Sequence, residues 1–327
     1  MDDPGVTRIS VAMCTRNGEK YVSEQVESIF SQTRAVDQLV VSDDGSSDGT
    51  LDLIRDAHAR RGGDVELVVL ENQKPLGVTA NFEQAMRACT GDLILLSDQD
   101  DVWHVDRVGV TAAAFGDPEV LAVHSDARLI DGEGKPRSGS LLDNLEVSDP
   151  VRSQLEAGDA LGVYLRRNLA TGATMGVSPR LLGLASPFPT DWVHDEWLAV
   201  VAALHGGLRL LPDRLIDYRQ HGANQIGVAA PSIRRKIDRV LSSRGDRNVR
   251  LAARAAQLAE RVDDFSISED VRRLVREKAR HERGRADLPS GRPARIPWVI
   301  GEWTRGSYGR FASQGALDVV RDLLQAP

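Results

Sequence analysis

Leu93-Ile94-Leu95-Leu96 runs straight into Ser97-Asp98-Gln99-Asp100-Asp101-Val102-Trp103, and this junction limits what the chain can become. Four consecutive apolar residues with no polar alternation predict a strand buried on both faces. Three carboxylates within the next few positions cannot continue into that core, because unpaired buried charge is too costly. The strand has to end at a cleft. There the acids crowd together, and a divalent cation would relieve their repulsion. Hard oxygen ligands suit Mg²⁺ or Mn²⁺. Taken alone, the acids fit an idle, solvated loop equally well.

The chain upstream repeats the same pattern. Ile9 to Cys14 reads as a strand, broken by Thr15-Arg16-Asn17-Gly18. Between Glu19 and Gln32, Val22, Val26, Ile29 and Phe30 recur at helical spacing. Leu39-Val40-Val41 is a second strand, running into Ser42-Asp43-Asp44-Gly45-Ser46-Ser47-Asp48-Gly49-Thr50. Ser47 or Asp48 can cap a helix that buries Leu51, Ile54 and Ala57. Val65 to Leu70 is a third strand, and Val78 to Ala88 a helix burying Val78, Phe82, Ala85 and Met86. Such alternation predicts an α/β layer with mainly parallel strands. Ligands bind such sheets at the carboxyl ends of the strands. Thr15-Arg16-Asn17, Asp43-Asp44 and Asp98 to Asp101 all follow strands at that end, so three polar clusters converge on one rim.

The second half is less regular. Leu121 to Asp126 is a strand and Asp131-Gly132-Glu133-Gly134 a tight turn, while Lys135 to Asp159 reads as an irregular polar loop. Asn168 to Val177 is either a strand with a glycine bend or a close approach of backbone to ligand. After Asp191-Trp192-Val193-His194-Asp195-Glu196-Trp197, the spacing of Leu198, Val201, Ala202 and His205 predicts a helix, with Asp195 and Glu196 where its dipole favours ionised carboxylates. Two short apolar pieces follow, Leu208 to Pro212 and Leu215 to Tyr218. From Pro231 the composition shifts. Ile233, Ile237, Val240 and Leu241 form a stripe among Arg234, Arg235, Lys236 and Arg239, and Arg250 to Val262 and Val271 to Arg285 read as basic helices. Pro289 to Pro297 is a break before a final stretch, Ser307 to Leu324. These helices are either an appendage with a solvated basic face or a device for docking on an anionic membrane.

The length, 327 residues, allows one large domain or two smaller ones. A net charge of −7 argues against a nucleic-acid partner. The two cysteines, Cys14 and Cys89, give no disulfide framework. The acidic start, Met1-Asp2-Asp3-Pro4-Gly5, lacks the apolar core of a signal peptide, and no run approaches the roughly 18 apolar residues of a bilayer span. The expectation is a cytoplasmic protein, peripheral at the inner face of the membrane if the basic helices dock there.

Thr15-Arg16-Asn17-Gly18-Glu19-Lys20-Tyr21, Ser42 to Thr50, Ser97 to Trp103 and Tyr218-Arg219-Gln220-His221-Gly222-Ala223-Asn224 occur in an order that resembles family 2 glycosyltransferases of GT-A fold, in the form common among rhamnosyltransferase-like members. The resemblance implies a Rossmann-like, mainly parallel central sheet flanked by helices. It implies a catalytic domain over residues 1–228, with a nucleotide-sugar half to about residue 105 and an acceptor half over 106–228, and a helical appendage over 229–327. It further implies that Thr15, Arg16, Asn17, Asp43, Asp44, Asn81, Asp98, Gln99 and Arg219 meet the nucleotide donor. Asp100 and His221, with Asp98, would hold Mg²⁺ or Mn²⁺. Asp195 would be the base of an inverting transfer, and His124, Asp126, Trp192, Glu196 and Trp197 would lie on the acceptor side. His124 equally fits a core histidine, and Trp192 and Trp197 equally fit the core. The implied donor is dTDP-β-L-rhamnose, with a UDP-hexose as alternative. The acceptor is a glycan, a lipid-linked saccharide or a small molecule, and the C-terminal helices offer a homodimer contact. A binding relative without turnover is the rival outside enzymes. A sugar nucleotidyltransferase would carry a glycine-rich, basic loop after the first strand, which Thr15-Arg16-Asn17-Gly18 is not.

Overall fold

The computed structural model describes residues 8–61, 63–221 and 246–325. The chain divides into two compact units: Met1–Ala160 with Leu169–Val228, and Leu161–Asn168 with Ala229–Pro327. Leu161–Asn168 thus groups with the C-terminal unit rather than with the acceptor half. The stripe Ile233, Ile237, Val240 and Leu241 with its basic neighbours, the Gly222–Asn224 end of the motif and the expected boundary at 228/229 lie outside the described residues.

The first unit opens with β1 (Ile9–Thr15), α1 (Val22–Phe30), β2 (Gln38–Asp43), α2 (Thr50–Arg61), β3 (Glu66–Glu71), α3 (Val78–Ala88) and β4 (Leu93–Ser97). β1, β2 and β4 are almost wholly buried, which is why they read as continuous apolar runs. There follow β5 (Val102–Trp103), α4 (Arg107–Ala114), β6 (Ala122–Asp131), β7 (Pro136–Ser140), α5 (Leu141–Asn144), α6 (Asp149–Glu156), β8 (Met175–Val177), α8 (Pro179–Ala185), α9 (His194–Leu204) and β9 (Leu208–Gln220), with α7 (Leu161–Tyr164) in the other unit.

Strand order is β3-β2-β1-β4-β8-β6-β9-β5, with β7 on β6. β1 to β4 pair in parallel, as do β6 and β9, whereas β8 lies antiparallel between β4 and β6, and β5 antiparallel to β9. The winding reverses between β1 and β4, so their carboxyl ends flank the crevice where such sheets take ligands. Register places Thr15 beside Asp43 and Met13 beside Ser97.

The structure departs from the sequence reading in several places. Lys135 to Asp159 is not a loop. It holds β7, α5 and α6, and α5 is started by a capping box in which Ser140 and Asp143 exchange hydrogen bonds with each other's backbone. The pieces on either side of Pro212 are one strand, β9, whose irregular register against β6 absorbs Pro212 and Asp213. β6 continues past Asp126 to Asp131.

The second unit contains α10 (Arg247–Arg261), α11 (Glu269–Ala286), α12 (Arg292–Thr304), α13 (Ser307–Phe311) and α14 (Ala316–Leu324). The expected break at 289–297 is shorter, because α12 begins with Pro293 in its first turn and carries Pro297 inside. Leu288, Val299, Tyr308 and Ala312 form an apolar centre. Beside it, buried Arg285 is held by Asp322, with Nε at 2.7 Å from Oδ2, and by Glu282 at 3.2 Å.

Candidate active site

The rim over β1 and β4 is knitted together by side chains that grip backbone. Gln99 accepts from the Arg16 N–H at 2.8 Å and donates to the Arg16 carbonyl at 3.1 Å. Thr15 Oγ1 donates to Asp43 Oδ1 at 2.6 Å, and Asp43 also accepts from the Ser46 N–H at 2.7 Å. Asn17, at φ 49°, accepts from the Ser47 N–H at 2.8 Å. Asp44 accepts from the N–H groups of Leu76 and Gly77 at 2.6 and 3.1 Å, fixing the loop that leads into α3. Thr15, Asp43, Asp44, Arg16, Asn17 and Gln99 therefore share one hydrogen-bonded rim. Asn81 lies apart from that rim: it is buried among Ser42 and Asn72, donating to the Ser42 carbonyl at 2.9 Å and tying α3 to β2.

The acid cluster meets the end of β9. His221 Nε2 and Asp100 Oδ2 are 2.7 Å apart, across 121 residues of chain. The His221 ring packs on Tyr21, with centroids 4.9 Å apart. Arg219 is 2% exposed. Its guanidinium donates to the Asp100 carbonyl at 2.7 Å and pairs with Glu24 at 2.6 Å, and its N–H donates to Asp101 Oδ1 at 2.9 Å. Arg219 thus shapes the acidic loop. The pairing with Glu24, on the outer face of a short helix, has no signature in the sequence.

Arg107, shortly after the acidic cluster, fits either a phosphate contact or a solvated surface residue by sequence alone. It is 1% exposed, stacks 3.8 Å above Trp103 and donates to the Leu96 carbonyl at 3.0 Å. It is the buried countercharge of the cluster. Burial pulls its pKa down to about 9, with Asp101 and Asp98 opposing. Burial first, then Asp100 and Asp195, push Asp98 up to about 7, against Arg107. Asp101 is likewise raised by burial, Asp100 and Asp98. The side chain of Asp195 is thus felt at the acid cluster although 97 residues separate it from Asp98.

Asp195 lies in the first turn of α9. Its Oδ2 accepts from the Gly172 N–H at 3.1 Å, and its Oδ1 from the Glu196 N–H at 2.6 Å. Next to it, His194 stacks on Phe82 at 3.9 Å. Burial holds its pKa down at about 3, and neither ring nitrogen has a hydrogen-bond partner among the described residues. A Cβ on Gly172 would come within 2.4 Å of His194 Nε2, so here the glycine makes room for a side chain of the protein itself. His194 and Gly172 were not singled out in the sequence, since their meaning lies in a contact between distant segments.

The expected acceptor-side residues divide. Trp197 is 0% exposed, with its indole N–H on the Ala185 carbonyl at 2.8 Å, and is a core residue with no face for a sugar. Trp192 is 8% exposed and packs edge-on against Trp197 at 5.4 Å. His124 is fully buried, which lowers its pKa to about 4. Asp126 is 2% exposed and accepts from the Leu142 N–H at 2.9 Å, with Arg152 and Arg214 at 3.4 and 3.5 Å. His124 takes the core alternative, and Asp126, expected on the acceptor side, is buried and bound by the protein's own groups. Glu196 is partly exposed beside Asp195.

For a divalent cation, the donor set on offer is one carboxylate and one imidazole in contact, Asp100 and His221, with Asp98 two residues away. Among the described residues no three His, Cys, Asp or Glu side chains form a ready cage. This fits Mg²⁺ or Mn²⁺ shared with a substrate diphosphate, since Mg²⁺ is commonly bound by one or two carboxylates plus phosphates and water.

Residues 10–160 match the family model described as glycosyl transferase family 2. An uncharacterized glycosyltransferase of Nostoc sp. is 28% identical over 224 residues, 66% of this chain and 66% of that protein. The dTDP-rhamnosyl transferase RfbG of Shigella flexneri is 31% identical over 99 residues, 29% of this chain and 34% of that one. The matches therefore span less than two thirds of these relatives. Among solved structures, the mannosyltransferase PcManGT from Pyrobaculum calidifontis, in complex with GDP-Man and Mn²⁺, has a TM-score of 0.57 at 18% identity, covering 99% of this chain and 87% of its own. At that identity the likeness speaks for the fold. A mixed sheet with its crevice between the parallel strands β1 and β4, the acid cluster at that crevice and the family match agree: residues 10–160 form a glycosyltransferase family 2 domain, and the fold is GT-A.

Proposed function

We propose that this protein transfers a sugar from a nucleotide-diphosphate donor to an acceptor hydroxyl with inversion, helped by a divalent cation. The observation that supports it best is the 2.7 Å approach of His221 to Asp100, two ligand-type side chains brought together across 121 residues of chain. Asp43, Asp44, Thr15 and Asn17 line the rim where the nucleoside would bind. Asp100 and His221 would hold the cation, which supplies charge stabilisation for the departing diphosphate when bound. Arg219 and Gln99 keep the loops of that rim in place. Asp195 takes the proton of the acceptor hydroxyl as its oxygen bonds to the anomeric carbon and the bond from that carbon to the diphosphate oxygen breaks. The Gly172 and Glu196 N–H groups hold the Asp195 carboxylate in place for that task.

For the donor we favour dTDP-β-L-rhamnose, supported by the order of motifs and by the likeness to RfbG. A UDP-hexose is the second reading. The acceptor is a saccharide, free or lipid-linked. A thermal-shift panel of dTDP, UDP and GDP, each with and without Mn²⁺, tests this. Stabilisation by one nucleotide that depends on Mn²⁺ and disappears in His221→Ala is the expected result. Equal shifts without the metal, or none with any nucleotide, would refute it.

A further inference from the structure

Helix α14 is built inside out. Its three charged residues, Asp318, Arg321 and Asp322, are 0%, 4% and 1% exposed. They turn inward to Arg285 and Tyr308, whose hydroxyl donates to Asp322 at 2.8 Å. Leu317, Val320 and Leu324 follow one another on a single face and are 44%, 40% and 52% exposed. A helix at a water-facing surface has the opposite arrangement. Helix α12 packs beside it and repeats the pattern. Ile296, Ile300 and Trp303 are 45%, 55% and 51% exposed, while Arg295 is buried with its guanidinium on the carbonyls of Pro289, Ser290 and Gln325. Six of the nine exposed large apolar side chains among the described residues lie on these two helices. Scattered exposed apolar residues need no explanation, but two adjacent stripes do.

The charges around the stripes favour one occupant. From Arg292 to Leu324 every exposed charged side chain is an arginine: Arg292, Arg305 and Arg310. Of the acids of this segment, Asp318 and Asp322 are buried, Glu302 is shared between His281 at 2.9 Å and Arg305 at 2.8 Å, and Arg310 reaches back to Glu277 at 3.0 Å, so the segment's outer charge is net positive with Arg292 at its start. Arg292 and Arg305 bracket the apolar face of α12. In a second copy docked about a twofold axis, these arginine rims would face each other with only the largely buried Glu302 beside them. An anionic lipid surface attracts the same rim, and a tryptophan beside an arginine suits the headgroup layer. No helix among the described residues is long and apolar enough to cross a membrane, so α12 and α14 would lie in its plane.

We propose that the outward faces of α12 and α14 seat this protein on an anionic lipid bilayer, with their apolar side chains entering the headgroup region and Arg292 and Arg305 meeting lipid phosphates. The inference does not rest on the sugar-transfer reading, and its test reads no catalysis. The full chain is sedimented with phosphatidylcholine vesicles, with and without phosphatidylglycerol, at low and high salt. The double variant Ile300→Gln/Leu324→Gln serves as comparison. Binding to the anionic vesicles, weakened by salt and about tenfold or more weaker in the variant, is expected, with the variant's melting temperature unchanged. Any of three results would overturn the proposal. The anionic vesicles fail to bind the protein or bind both forms equally. Light scattering finds a dimer that the variant abolishes, making a second copy the occupant. Or the variant melts markedly lower, meaning that the face packs within the chain itself.

Discussion

Replacing Asp195 by asparagine separates the task the structure shows, holding backbone, from the proposed one, taking a proton. The carboxylate accepts from two N–H groups, Gly172 at 3.1 Å and Glu196 at 2.6 Å. Asparagine keeps one acceptor oxygen and presents an NH₂ to the other donor, so one of the two bonds is lost. A hydrogen bond to a charged group contributes about 1.5–3 kcal/mol, which bounds the loss of stability. The folded protein and its rim should survive, because Asp43, Asp44 and Gln99 are untouched. Removing a general base costs about 10²–10⁴-fold in rate. The variant should therefore bind nucleotide and cation as before, melt slightly lower and turn over at the residual rate. Single-turnover transfer from a radiolabelled donor measures the rate, and a nucleotide titration by calorimetry measures binding. Transfer within about tenfold of the parent would remove Asp195 as the base, since no general-base role is that small. Loss of nucleotide binding together with transfer would instead mean that the carboxylate serves only to hold the Gly172 segment.

Other perturbations act through separate contacts. Asp100→Asn should abolish metal-dependent nucleotide binding while leaving metal-independent binding, read by calorimetry with and without chelator. Gly172→Ala places a methyl 2.4 Å from Nε2 of His194, whose ring is stacked on Phe82 and has to shift, and should cost about 1–3 kcal/mol in urea unfolding along with most of the transfer rate. Arg219→Met removes bonds to the Asp100 carbonyl and Glu24 and should cost about 2–4 kcal/mol, with weakened metal affinity as the readout that a purely structural role would leave unchanged. His194, held neutral at a pKa of about 3 against 6.5 in the unfolded chain, makes the unfolded state bind more protons as pH falls. Stability should therefore be complete above pH 6.5 and decline below it, by about 2 kcal/mol at pH 5 from this residue alone. Urea midpoints across pH should be flatter in His194→Asn, and an equally steep decline would dismiss the assignment.

The parallel half of the sheet was legible because each of its strands is buried on both faces and says so in an unbroken apolar run. Leu93 to Leu96 and Gln38 to Asp43 are examples. The segment after β6 was not. α5 has only four residues and its start depends on the Ser140–Asp143 box, too short for any period to register, while Pro212 makes one strand look like two. The rim residues that end strands were found from position. Asn81, Asp126 and Trp197 were named for their chemistry, yet each spends it on the protein's own backbone or amides. A polar side chain in the sequence does not reveal whether its partner is a ligand or a neighbouring turn. Arg107 shows the converse, since an arginine whose place the sequence leaves open is the acids' buried counterion.

The grip of Arg219 on Glu24 and on the acidic loop has a consequence for engineering. A chimaera that replaced the donor-binding segment with that of another enzyme would bring a foreign residue to position 24. If that residue were not an acid, the arginine from the far end of the unit would enter the new assembly without its counterpart, and the loop it steadies would shift. Grafts intended to change donor choice should therefore move these two positions as one inheritance, even though 195 residues of chain separate them.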